Sequence, residues 1–375
     1  KILIELKNID LETILEQFVQ AADAYGTYNL PRFKIYILEN LCILHEIYNQ
    51  VAEMAMIRWN IFTICEQMDK LSIELWSPKP PLKIVRRGSD SKVADKQPHF
   101  MAALITSLQL PSAHPWISLE SLRKHAILSL QISIDLFRET HLVYLAERSL
   151  NSLIGIYRND HGDNLKQLGQ CYDKLSKLFE EASTGNMNFA MGTFFRVLFI
   201  GQGIPNSLRG REYIVRNGSY LHVSEFQSLI KTQLQSLVGP NIPVFVLPDT
   251  SPMPSNDAQE AYAYMTSLTP VILNPSDLSK DISSSTTSLW KKRVGNIAYR
   301  NEYSVFQFSV PYTKEGKAHA KTMDLQWKRT TTLYVKYPFP YILTRQIVIK
   351  REVRDLSPIE VALDDIQERI LSMTD

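Results

Sequence analysis

Between Gly26 and Gly155 the sequence contains one glycine, Gly88. Glycine is the residue that tight turns and positive-φ positions draw on, so so long a stretch with a single one favours helices over a meander of hairpins. The whole chain has 14 glycines in 375 residues, where average usage would give roughly 26. Apolar spacing agrees. Leu11, Ile14, Leu15, Phe18, Val19 and Ala22 recur at helical intervals behind Asp10, a candidate N-cap, until Gly26 interrupts them. Pro31 opens a second run with Ile35, Leu38, Leu41, Cys42, His45 and Tyr48 on one stripe, and Val51, Met54, Ala55, Trp59 and Phe62 form a third. The pattern returns over 118–157 with Leu119, Leu122, Ala126, Leu130, Ile134, Phe137, Leu142, Leu145, Leu150 and Leu153. After the turn Asn159-Asp160-His161-Gly162 come Leu165, Leu168, Tyr172, Leu175, Leu178 and Phe179. These runs predict antiparallel helix pairs with short joints over 11–187, without the fixed period of a regular solenoid. The Pro-, Lys- and Ser-bearing stretch 78–98 reads as a surface loop.

Near residue 194 the period changes. Phe194–Phe199 is strand-like, and Glu212–Val215 and Tyr220–Val223 flank Asn217-Gly218, a two-residue hairpin signal. Ser224-Glu225-Phe226-Gln227 reads as a capping box opening a helix with Phe226, Leu229, Ile230, Leu234 and Leu237 inward. Val244–Val246, Ser304–Val310, Ala320–Trp327, Thr330–Lys336 and Ile342–Lys350 read as strands. A Ser-rich loop lies at 276–288, and turns at Lys314–Lys317 and Pro338-Phe339-Pro340. The result is an antiparallel sheet with one helix. Ser357-Pro358-Ile359-Glu360 then carries an N-cap serine, a first-position proline and the third-position glutamate of a capping box. Val361, Ala362, Ile366 and Ile370 form an apolar stripe that a lone helix does not bury, so a further helical surface is expected to receive it.

Composition excludes several functions. Lys plus Arg total 41 and Asp plus Glu 39, a net charge of +2, which leaves no basic excess for a nucleic-acid partner. With 45% hydrophobic and 21% charged residues, wholesale disorder is excluded, and the length suggests about two to three domains. Cys42, Cys65 and Cys171 form no CxxC pair and read as reduced, buried thiols of a cytosolic protein. No run is long and apolar enough to span a bilayer. Because the chain begins at Lys1, it reads as an excised fragment. Catalytic motifs are missing too. His45-Glu46 starts like a zinc-protease motif, but Asn49 stands where the second histidine is required. Gly201-Gln202-Gly203 starts like a dinucleotide fingerprint, but Asn206 replaces its third glycine. There is no phosphate loop and no GxSxG elbow. Composition and motifs therefore predict neither cofactor nor metal nor covalent catalysis, and point to a helical scaffold plus β domain that works by binding.

The stretch Tyr303–Thr313, with Pro311-Tyr312-Thr313 followed by Gly316-Lys317-Ala318-His319, resembles the "F-x-x-x-x-P-F/Y-T-x-x-G-R-A-H" pattern of DOCK-family guanine-nucleotide exchange factors. Lys328-Arg329-Thr330, Phe339–Arg345 and Leu356–Ala362 are similar, in order and spacing, to that family's "K-R-K-T", "F-P-Y-I-K-T-R" and "L-T-P-I-E-V-A" stretches. Phe194-Phe195-Arg196-Val197 with Gly201 resembles the opening of the same module, and Tyr157–Phe179 its preceding helix pair. Departures at Ser357, Leu343 and Lys317 imply a divergent, fungal-type member.

The resemblance implies a DOCK homology region-2 module, an α+β, multi-lobe architecture: an antiparallel helical array (lobe A, 1–190) that supports dimerisation, an antiparallel β-sheet lobe (lobe B, 191–355) and, from 356–375, the first helix of a C-terminal helical bundle (lobe C). It implies a Rho-family, Rac-like small GTPase as partner, gripped by its switch regions between lobes B and C, and no covalent chemistry. The valine that expels Mg²⁺ in the family aligns beyond Asp375, so no catalytic residue is assigned. Lys336, Tyr337, Phe339, Tyr341 and Arg345 are the expected GTPase contacts, and Lys317 and His319 expected structural turn residues. A homodimer through lobe A, an ELMO-type adaptor bound through regions outside this chain, and a cytoplasmic protein recruited peripherally to membranes, acting on the actin cytoskeleton, complete the expectation. The competing reading is a dimerising scaffold without exchange activity.

Overall fold

A computed structural model of the chain describes residues 11–27, 30–70, 119–159, 164–183, 192–218, 221–254, 258–271, 302–313, 326–363 and 366. Asp10, the 78–98 and 276–288 loops, the turn at 314–317 with Lys317 and His319, most of the strand read at 320–327, and Ile370 lie outside those residues. Among the described residues six helices come first: α1 (Leu11–Thr27), α2 (Pro31–Ile47), α3 (Val51–Lys70), α4 (Leu119–Glu139), α5 (Val143–Asn159) and α6 (Leu165–Ser183). Each packs on the next, and the stripes read from spacing are the buried faces: Leu15, Val19 and Ala22; Ile35, Leu38 and Leu41; Leu122, Leu130, Ile134 and Phe137. Two joints of this glycine-poor array turn on non-glycine residues, Asn49 (φ 54°) and His141 (φ 57°). Asparagine and histidine are among the side chains that tolerate the left-handed region best. Tyr48, Leu165, Tyr172 and Phe179, read as stripe members, are instead exposed.

The sheet comprises β1 (Thr193–Ile200), β2 (Glu212–Asn217), β3 (Val244–Pro248), β4 (Ala261–Pro270), β5 (Tyr303–Tyr312), β6 (Trp327–Phe339) and β7 (Arg345–Leu356), with α7 (Val223–Val238) between β2 and β3. Pairing is antiparallel except for β3 along β4. Two strands belong to two layers at once. β4 pairs with β1 over most of its length and hands Thr269 and Pro270 to β5. β7 gives residues 345–347 to β2 and the remainder to β6. The pairing thus closes on itself through β1-β2-β7-β6-β5-β4, with β3 appended.

Three local expectations change. Asn217-Gly218 makes no hairpin: β2 already has β1 on one edge and β7 on the other, so a returning strand has no edge to join. The cap of α7 is His222 rather than Ser224. Glu225, three residues on, accepts a bond from the His222 N–H at 2.9 Å, and Leu229 faces solvent while Phe226, Ile230 and Leu234 are buried. β7 starts at Arg345 rather than Ile342, because Ile342 and Leu343 tuck into the core ahead of it. The box at Ser357 forms as read, with Glu360 accepting from the Ser357 N–H at 2.8 Å.

Strand alternation sorts β1 between two cores. Phe195, Val197 and Phe199 join Ile230, Leu234, Val244 and Met265 beneath α7, where the Phe195 and Phe226 rings stack at 3.9 Å. Phe194 faces the other way, into a single apolar cluster that runs from the helices through Phe306, Leu333, Phe339 and Leu343. Arg196, 1% exposed, shares that side. It is held by Glu212 and Asp249, with the Phe308 ring 5.5 Å from its guanidinium. Across the junction of helices and sheet, Arg216 of β2 donates to Glu53 of α3 at 2.6 Å, both side chains at most 5% exposed. Breaking a buried pair strands its other charge, at a cost of about 3–5 kcal/mol. Glu53→Ala or Arg216→Ala is therefore expected to lower unfolding stability by about that amount, and the apolar double replacement E53L/R216M to recover most of it, as read by denaturant titration.

Candidate functional site

The segment from Lys336 to Gln346 ends β6, turns, and begins β7. The Tyr337 and Tyr341 rings stack face to face, centroids 4.5 Å apart and planes at 6°. The Lys336 ammonium lies 4.9 Å from the Tyr337 centroid. Alternation along β6 buries Val335 and Phe339 and exposes Lys336 and Pro338, while Tyr337 lies between the two states. Hydrogen bonding to Tyr337, with the Asp23 carboxylate of α1 adding, raises the Lys336 ammonium above its usual pKa. Burial, followed by Tyr337 and Asp23, pushes the Tyr341 hydroxyl far above the ordinary phenol value. The patch thus joins one lysine to two half-buried aromatic rings.

The expected contacts divide. Lys336, Tyr337 and Tyr341 are brought together on one surface. Phe339 and Arg345 are not surface groups. Phe339 is wholly buried, its ring 5.6 Å from Phe194 and 5.9 Å from Phe306. Arg345, 4% exposed, donates from Nε to Glu16 Oε1 at 2.8 Å and from Nη2 to Thr13 Oγ1 at 3.1 Å, and lies over the Tyr213 ring. Asp355 and Glu360, acids further along the chain, pair with Arg329 and Arg354. Both expected contacts therefore act from below, by anchoring the segment.

Reading the sequence missed the groups that do the anchoring. Glu16 lies 329 residues from Arg345. His45, fully buried, has its Nε2 at 3.0 Å from the Ile342 carbonyl, to which it donates, and its Nδ1 against the Gln50 side chain. The buried Gln346 holds Tyr337 by its backbone. Only the last lies close enough in sequence for a local pattern to suggest it. His45 is thus a satisfied core histidine, and among the described residues no cluster of His, Cys, Asp and Glu could hold a metal ion. Cys42, Cys65 and Cys171 are buried and unpaired. Desolvation pushes the Cys65 thiol up to about 12, which removes its thiolate at neutral pH. Among the described residues no helix is long and apolar enough to cross a membrane.

Residues 250–338 match the family model described as DHR-2, Lobe B, a span that takes in β4, β5 and β6 as far as Pro338 and so includes Lys336 and Tyr337. Guanine nucleotide exchange factor SPIKE 1 of Arabidopsis thaliana is 26% identical over 251 residues, 66% of this chain and 13% of that protein. Dedicator of cytokinesis protein 6 of Mus musculus is 28% identical over 208 residues, 54% of this chain and 9% of that protein. Dedicator of cytokinesis protein 7 of Homo sapiens is 27% identical over 252 residues, 62% and 11%. The chain spans about a tenth of the length of these relatives. These matches agree with the motif resemblance seen from Tyr303 to Ala362.

Burial holds the His45 pKa below its ordinary value of 6.5, against the opposing pull of Gln50, Glu53 and the Ile342 carbonyl. A histidine depressed in the folded state adds stability above the unfolded pKa and loses it as pH falls through that value toward the folded pKa. Between about pH 7.5 and about pH 5 the melting temperature of the wild type is expected to fall more steeply than that of His45→Gln. Parallel slopes would show that the ring contributes nothing.

Proposed function

We propose that this relative of the DOCK-family exchange factors, with its lobe B of the DHR-2 kind, acts as part of a guanine-nucleotide exchange factor for a Rho-family, Rac-like GTPase. The carrying observation is the Lys336–Tyr337–Tyr341 patch: stacked aromatics and a cation on a segment anchored by buried polar bonds, at the edge of the matched lobe B. Aromatic side chains dominate interface energy when held rigid over a packed support. Exchange needs no covalent step. A surface that binds the nucleotide-free GTPase more tightly than the nucleotide-bound form shifts the population toward release. In this reading the patch grips the switch regions from the sheet side. The helix that opens at Ser357 begins a C-terminal bundle that grips from the other side, consistent with the outward-facing Ile359, Leu363 and Ile366.

The intact protein, mixed with Rho-family GTPases loaded with fluorescent GDP, is expected to accelerate release for at least one of them. No acceleration for any would overturn the reading. Tyr337→Ala and Tyr341→Ala are each expected to cost about 2 kcal/mol of GTPase binding, about thirty-fold in affinity. Lys336→Ala acts chiefly on association rate and its salt dependence.

One observation favours the scaffold reading beside this one. Leu165, Tyr172 and Phe179, seven residues apart along α6, are 71%, 41% and 41% exposed. Such spacing is that of a helix seam, and a dimer of the helical array would cover it. Sedimentation at micromolar concentration is expected to give a dimer mass for the wild type and a monomer for the double variant L165E/F179E; a monomeric wild type removes this reading.

A further inference from the structure

We infer that Gln346 is a positioning residue for the Tyr337–Tyr341 stack, its side-chain amide replacing a backbone pair where the two layers of the sheet part. The inference rests on the proposed role of that stack in gripping a GTPase. The β6–β7 ladder runs from Lys328↔Leu356 to Tyr334↔Lys350, shifts register past Ile349, and resumes at Val335↔Val348. Continued by two residues, that register sets Tyr337 opposite Gln346. There β7 is already committed to β2, with Ile214 paired to Gln346 and Val215 to Arg345. As β7 turns from one layer to the other, its Gln346 side chain reaches the edge of β6. The Tyr337 N–H donates to Gln346 Oε1 at 3.2 Å, and Gln346 Nε2 donates to the Tyr337 carbonyl at 2.9 Å.

A carboxamide is a planar unit with a donor and an acceptor side by side, the same complement a peptide group offers a strand. Two bonds to one residue fix both the height and the rotation of the Tyr337 backbone, and with it the plane on which Tyr341 stacks. Gln346 is 6% exposed, so water does not take over either bond. A glutamine that merely filled a buried polar need would affect stability alone. A positioning glutamine acts on GTPase binding through the tyrosines, and that difference can be measured.

Gln346→Met keeps the length and removes both bonds. Gln346→Glu sets a second acceptor against the Tyr337 carbonyl, and that repulsion drives the side chain out of the pair, so it serves where Gln346→Met does not fold. Native-state amide hydrogen exchange in the intact protein is expected to show the Tyr337 amide protected in the wild type and exchanging at least about tenfold faster in either folded variant. Unchanged protection would overturn the inference. Affinity for nucleotide-free Rac-like GTPase is expected to fall about tenfold in Gln346→Met, but less than about twofold when the substitution is added to Tyr341→Ala, since the two act through one stack. An equal loss in both backgrounds, or none in the first, would overturn it. Should the wild type bind no GTPase, the exchange reading falls and takes the role of Gln346 with it, whatever the exchange rate at Tyr337.

Discussion

Glu16, His45 and Glu53 leave the helical array and enter the sheet, where they meet Arg345, the Ile342 carbonyl and Arg216. The apolar cluster that joins helices to sheet supplies most of the attraction, but such attraction has no direction and would tolerate many relative placements of the two. Charges removed from water do not. A carboxylate that misses its guanidinium by a few ångströms is left desolvated without compensation, so only one placement of helices on sheet is inexpensive. Two of the three ties end within the Lys336–Gln346 neighbourhood, and the third ends on β2, the strand that β7 joins there. The position of the candidate site is thereby set by helices far from it in sequence.

That dependence explains what could be read in advance. Helices α1 to α6 follow from the glycine-poor stretch and the spacing of residues such as Leu15, Leu38, Leu130 and Leu178, because amphipathic helices carry their burial pattern locally. Strand existence was legible for β1, β5 and β6 on the same ground. Partnering was not. Asn217-Gly218 is a strong hairpin signal in isolation, and it loses to the two partners β2 acquires from β1 and β7. Phe339 and Arg345 look like surface anchors in a motif; the first is claimed by Phe194 and Phe306 and the second by Glu16, none of which is a near neighbour in the chain. Tyr337, Tyr341 and Lys336 were legible as a group because they are neighbours, yet their stacking depends on Gln346 and its place at the parting of two layers.

The site makes physical sense as a binding surface. The Tyr341 hydroxyl is pushed upward by burial and the Lys336 ammonium is raised by its bond to Tyr337, the opposite of what activates a nucleophile. What it offers is rigidity, with bonds at Tyr337, Ile342 and Arg345, so a partner meeting the tyrosines has little side-chain or backbone entropy to remove. A surface that must discriminate between two conformations of the same partner benefits from that stiffness, because a yielding surface would fit both.

The register shift at Ile349 has a consequence for how such a chain can vary. On its outer side β7 follows β6 in a ribbon rich in exposed charge, and on its inner side it follows β2 beneath the site. A strand with one continuous register would carry any slip of the ribbon straight through to Arg345 and Gln346, exchanging the faces of every residue on the way. A bulge absorbs one residue locally. The outer ribbon and the anchored segment can therefore drift apart in sequence and length while the strand that links them stays whole.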